Sequence, residues 1–168
     1  MKKSYNLEQF DFNKTIVMLQ RGSFDPINII ENGEWRRCFY ENDSISLIST
    51  SYNNGINFTV LQGSMSDKKA QAMIEYTLGF DDPFLTTHIH GLPYKDKLKS
   101  TIGLNIPGYP DLFEAIIQII MGQQISVAVA NKVRAKFTIQ FGDNINYMDN
   151  AHCQLSCDNF SIFFVSSC

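Results

Sequence analysis

The sequence predicts an α+β protein, an N-terminal antiparallel sheet with two helices followed by the first helices of an all-α domain. Three observations carry that prediction. The runs SISLISTSY and INFTVLQG are joined by Asn53-Asn54-Gly55. Asn-Gly between alternating runs is a strong hairpin signal, because a type I′ turn needs positive φ at both central residues. Ser66 opens a stretch with helical spacing of its apolar residues, and Gly79 closes it. From Pro107 onward the pattern is helical only.

Taken in order, residues 5–30 read as a short extended lead-in and a helix over roughly Asn13–Gln20 that Gly22 closes. Ile16, Val17 and Leu19 are its apolar residues. GEWRRCFYEND reads as a strand between Gly33 and a polar turn. In the next hairpin Ile56, Phe58 and Val60 alternate with Asn57 and Thr59, as one buried sheet face requires. Trp35, the only tryptophan, is expected to pack there. From Ser66 to Leu78 the spacing predicts a helix with Ser66 as N-cap, Asp67 at the positive end of the dipole, and Ala70, Met73, Ile74 and Thr77 on one face. Pro83 stands just beyond it. Residues 1–85 thus form an antiparallel α+β unit, 86–106 a connecting segment, 107–142 the start of a helical domain, and 143–168 an atypical tail.

At 168 residues the chain is one large domain or two small ones, long enough to bury a core. Its 44% hydrophobic and 18% charged composition is that of a globular protein and not a disordered one. A net charge of −3 gives no overall basic signature for nucleic acid, although a local basic patch can sit on an acidic protein. MKKSYNLEQFDF lacks the apolar core of a signal peptide, and no run reaches the length of a membrane span. The expectation is a cytoplasmic monomer without membrane contact. No metal is expected: His152-Cys153-x3-Cys157 matches no common zinc spacing, and His88-x-His90 reads as a connecting loop without a carboxylate cluster.

The helical segment raises the sharper question. In DLFEAIIQIIM the polar Asp111, Glu114 and Gln118 form one narrow stripe, and apolar residues cover the rest. Such a helix is expected in the middle of a larger bundle. Gly122 ends or kinks it, and Ser126 caps a second helix. There Ile125, Val129, Val133, Phe137 and Phe141 recur at every fourth position, opposite Lys132, Arg134 and Lys136, before Gly142 closes it. Those basic residues read either as a solvated face or as phosphate contacts. Between the helices stand Gln123 and Gln124, two uncharged amides at a turn that needs neither for its structure.

The stretch IPGYPDLFEAIIQIIMGQQISVAVANKVRAKFTIQFG, Ile106 to Gly142, resembles the first two core helices of the 3-methyladenine DNA glycosylase II family, within the helix-hairpin-helix glycosylases. The resemblance covers roughly residues 5–142, with Gly122-Gln123-Gln124-Ile125-Ser126 its most specific part. It implies a sheet unit like half of a TATA-binding protein, followed by the start of a truncated all-α glycosylase domain. The implied activity is hydrolysis of the N-glycosidic bond of alkylated purines in double-stranded DNA, in base-excision repair, with no metal or organic cofactor. Such an enzyme rotates a damaged nucleotide out of the duplex and must fill the hole, and a helix-turn-helix corner can insert a side chain through the minor groove. The resemblance puts that wedge at Gln124, with Gln123 bracing the turn and Lys132, Arg134 and Lys136 as DNA contacts.

Two departures accompany it. Where some relatives place an aromatic in the base pocket Met18 stands here, with Phe10 or Phe12 as possible substitutes. The family's Gly-x-Gly hairpin and its catalytic aspartate find no counterpart up to Cys168, so no catalytic residue is assigned. Asp149 and Asp158 follow no hairpin motif. From Asp149 on, the tail has no Lys, Arg, Glu, Gly or Pro and carries three of the four cysteines, which reads as out-of-frame or otherwise truncated sequence. The chain itself is therefore expected to be inactive. Two other functions stay open: a non-catalytic DNA-binding module, and an interaction domain without DNA. An 8-oxoguanine glycosylase fits less well, because Arg36-Arg37-Cys38-Phe39 is a poor match to that family's Gly-Gln-Cys-Phe-like segment.

Overall fold

The computed structural model describes residues 10–22, 25–41, 44–80, 101, 103–143 and 145. His88, His90, Pro83, Cys153, Cys157, Asp149 and Asp158 lie outside them.

The strands are β1 (Asn28–Glu31), β2 (Glu34–Glu41), β3 (Ser44–Tyr52) and β4 (Ile56–Gln62). They form one antiparallel sheet in the order β1-β2-β3-β4. Helix α1 (Phe12–Leu19) precedes the sheet and α2 (Asp67–Thr77) follows it. The expected β3–β4 hairpin is present, with Tyr52 opposite Ile56 and positive φ at Asn54 and Gly55. The sequence pattern predicts no strand before Gly33, and β1 is an addition to it. Asn32 and Gly33 turn it into β2 with φ of 53° and 77°, the backbone that Asn-Gly accommodates best. Gly33 is therefore the second half of a hairpin turn and not just a strand boundary.

One face of the sheet carries the main core. Trp35, Phe39, Ile48 and Ile56 pack there with Phe10, Phe12, Ile16 and Leu19 from α1 and its lead-in, and with Ala70, Ile74 and Leu78 from the α2 region. Each large side chain so removed from water contributes roughly 1.5–3 kcal/mol. The α2 expectations hold. The Ser66 hydroxyl accepts from the Lys69 amide, and Ala70, Ile74 and Thr77 are buried. On the opposite face Cys38, which is disulfide-bonded, packs with Leu47 and Ile145. The Tyr40 hydroxyl donates to Asp143, so the chain just past Gly142 touches the sheet.

Helices α3 (Leu112–Gly122) and α4 (Val127–Phe141) follow. Ser126 caps α4 as expected, accepting from the Val129 amide, and Asp111 caps α3 by accepting from the Glu114 amide. The orientation of the two helices is not the expected one. In α3 the buried residues are Glu114 and Gln118, the polar stripe itself, while Leu112 is 76% and Ile119 61% exposed. In α4 the buried residues are Ala130 and Thr138, and Val129 and Val133 are exposed. Arg134 sits between Ala130 and Thr138 on that inward stripe, half-buried, and not on the outer face with Lys132 and Lys136. The physical reason is that the surface these helices meet is polar.

Candidate nucleic-acid interface

That polar surface is built on β2. Arg37 shares a sheet face with Trp35 and Phe39, two residues to either side, and is buried among them. A guanidinium held there needs partners. Its Nη1 donates to Asn28 Oδ1 at 2.9 Å, and its Nη2 pairs with Glu114 of α3. Burial pushes the Glu114 carboxyl above the usual carboxylate range, against the pull of Arg37. Asn28 serves both neighbours: Oδ1 also accepts from Trp35 Nε1 at 3.1 Å, and Nδ2 donates to the Leu19 carbonyl at 3.2 Å. Asp25 binds the Arg21, Ile27 and Asn28 amides, fixing the chain between α1 and β1. Helix α3 is thereby seated on the sheet unit through ions and amides. A charge placed at the i+2 position from the lone tryptophan was the signal for this in the sequence.

With α3 seated, its far end carries the corner. The Gln123 amide closes onto the Ile120 carbonyl at 3.2 Å, so Gln123 secures the turn through its backbone. Gln124 follows with φ of 59°, in the left-handed region, and is exposed. Only three described non-glycine residues have positive φ, and the other two are the Asn32 and Asn54 turns. Asparagine tolerates that region, whereas a glutamine held there costs of order 1 kcal/mol. Gly122 is the last residue of α3, and its φ is not positive. Conformational freedom does not explain it. A Cβ at Gly122 would lie 2.6 Å from Nη2 of Arg134, so the glycine makes room for that guanidinium.

Arg134 reaches across from α4 and donates from Nη2 to the Gln118 carbonyl at 2.7 Å, and from Nη1 to its neighbour Asn131 at 3.3 Å. Burial first, then the nearby Arg21 cation, lower its pKa from the usual guanidinium value. The guanidinium from which an outward DNA contact is expected lies half-buried between the helices, with Nη1 and Nη2 both donating there. Lys132 and Lys136 are exposed.

Between the α1–β1 connection and the α3–α4 pair lies a cavity of about 200 Å³, lined among others by Met18, Arg21, Tyr109, Gln118, Asn131 and Arg134. Met18 is partly exposed beside it. Phe10 and Phe12 do not substitute for an aromatic there. Both are buried in the main core, Phe10 packing on Phe80 and Phe12 stacking on Tyr52. Among the described residues no group of three or more His, Cys, Asp or Glu could hold a metal ion. No described helix is long and apolar enough to cross a membrane.

No family model matches the chain. It is 27% identical over 150 residues to the DNA-3-methyladenine glycosylase of Bacillus subtilis (strain 168), covering 83% of this chain and 50% of that protein. The 3-methyladenine DNA-glycosylase from Archaeoglobus fulgidus superposes with a TM-score of 0.71 at 21% identity, over 88% of this chain and 52% of the other. MBOgg1, solved in complex with a low-affinity DNA ligand, gives 0.55 at 11% identity over 83% and 57%. The chain spans about half the length of these proteins. Its fold is that of the N-terminal half of a DNA glycosylase. Within that class, the chain resembles the N-terminal part of the DNA-3-methyladenine glycosylases.

Proposed function

We propose that this chain is the DNA-distorting half of a base-excision glycosylase acting on alkylated purines in double-stranded DNA, with Gln124 as the wedge. The observation that carries the reading is the exposed, left-handed Gln124 at the tip of the α3–α4 corner. A backbone held in a costly conformation at an exposed tip is the kind of strain that functional sites retain. A glutamine there can fill the gap left by an extruded nucleotide and hydrogen-bond the orphaned partner base. Lys132 and Lys136 are free to meet phosphates, whereas Arg134 supports the corner from within. The carboxylate that stabilises the sugar cation in the family has no counterpart up to Cys168. We therefore assign this length of chain DNA distortion and no excision of its own, acting as a monomer without metal or cofactor.

The experiment is a chimera in which residues 1–142 replace the matching half of the Bacillus subtilis relative. Release of 3-methyladenine from methylated duplex DNA is expected from the chimera and not from the 168-residue chain. Gln124→Ala in the chimera should slow release about tenfold or more, because the wedge offsets part of an extrusion cost of a few kcal/mol. Excision by the short chain near the chimera's rate, or an unaffected Gln124→Ala chimera, would defeat the reading.

A further inference from the structure

The Gly122–Arg134 contact has a use beyond holding two helices together. The C-terminal end of a helix carries the negative end of its dipole, where a cation is favourable. In α3 no basic residue of its own lies in the last turn. The cation comes from α4, where Arg134 Nη2 meets the Gln118 carbonyl one turn before the corner. Asn131 Oδ1 holds the other arm of the fork, on the helix that leaves the corner. The guanidinium is thus fixed to both helices, and Gly122 leaves the space that its Nη2 occupies. Two residues later the chain turns left-handed at Gln124.

We propose that Arg134 and Gly122 form a clasp that sets the corner's backbone and so aims Gln124; Arg134 is a positioning residue of the wedge. The aiming function rests on the wedge reading above, whereas the effect on the Gln124 backbone does not. An alanine at Gly122 would displace the guanidinium, since the far end of a long side chain yields before the backbone does. The predicted coupling follows: Gly122→Ala does harm only while Arg134 is there to be displaced.

The test uses the 168-residue chain with two readouts. The first is the NMR signature of Gln124, whose Cα shift and HN–Hα coupling report a left-handed backbone without DNA. The second is the ratio of affinities for a duplex with a tetrahydrofuran abasic site and for the same duplex intact. Gly122→Ala and Arg134→Met should each move the Gln124 signature toward extended values and lower the ratio about tenfold. The double variant should be no worse than Arg134→Met alone. Arg134→Lys, which keeps the charge without the fork, should fall between and covers the case in which the methionine variant does not fold. Additive losses in the double variant, or an unchanged Gln124 signature in both single variants, would overturn the clasp. Should Gln124→Ala leave the ratio unchanged while the signature responds as expected, the wedge reading fails and the clasp stands.

Discussion

The sheet unit and the α3–α4 pair use hydrophobicity in opposite ways. In the sheet unit Trp35, Phe39, Ile16 and Ile74 are all within 1% of complete burial. In α3 and α4 the buried residues are Glu114, Gln118, Ala130 and Thr138, while Leu112, Ile119 and Val127 are mostly exposed. The first region is held by its own core. The second is held to the first by a buried ion pair and an amide network, and its apolar surface has no cover among the described residues. A buried ion pair is weak evidence for stability, because desolvation consumes much of the Coulomb attraction. It is good evidence for register: α3 can sit where Glu114 meets Arg37 and nowhere else on that surface.

The strongest way to break the contrast is to remove one member of the pair. Arg37→Met or Glu114→Leu alone should cost about 3–5 kcal/mol in urea unfolding, because a buried charge is left alone. The double variant should recover most of that loss, and a double as unstable as the singles would contradict the role given to the pair. Next comes a comparison at one residue type. Ile74→Ala in the core should cost about 2–5 kcal/mol, whereas Ile119→Ala on α3 should stay within about 0.5 kcal/mol. Equal costs would mean that α3 is covered in solution.

A smaller effect is expected at Gln124→Gly, which relieves the left-handed backbone and should stabilise the chain by about 1 kcal/mol while lowering its preference for abasic over intact duplex. Stability and DNA selectivity would then move in opposite directions, which an ordinary turn residue does not do. Smallest is a pH effect at Glu114, whose folded pKa lies above its ordinary 4.5. The folded state binds this proton more tightly than the unfolded one. Its contribution is therefore complete below the unfolded value and is lost as pH rises through the folded value. The stability difference between wild type and Glu114→Gln should decline over that window. A difference that grows instead would reverse the assigned balance of burial over attraction.

How far the sequence could be read follows the same division. Alternation in β4, the Asn54-Gly55 turn and the Ser66 and Ser126 caps are local devices, and each was legible because its cause lies within a few residues. Asn32-Gly33 carries the same signal, but β1 before it has only four residues and weak alternation. The spacing of Asp111, Glu114 and Gln118 does put them on one face. Periodicity says which residues share a face, not which way the face points, and that depended on Arg37, 77 positions away from Glu114. Of the proposed site, Gln123 and Gln124 stood out by their chemistry. Arg134 reads in the sequence only as one of three basic residues, since nothing marks its inward position until Gly122 is placed beside it.

The meander order of the sheet has a consequence in time. Every strand pairs with its neighbour in the chain, so the sheet closes only short loops and is of the kind that forms quickly. During synthesis, at about 5–20 residues per second, β1 to β4 are complete before Glu114 has been made. Arg37 therefore waits in a finished surface with one arm already held by Asn28. When α3 arrives, its first turn meets a template and not a coil. The corner that follows is laid down last, on a foundation that is already set.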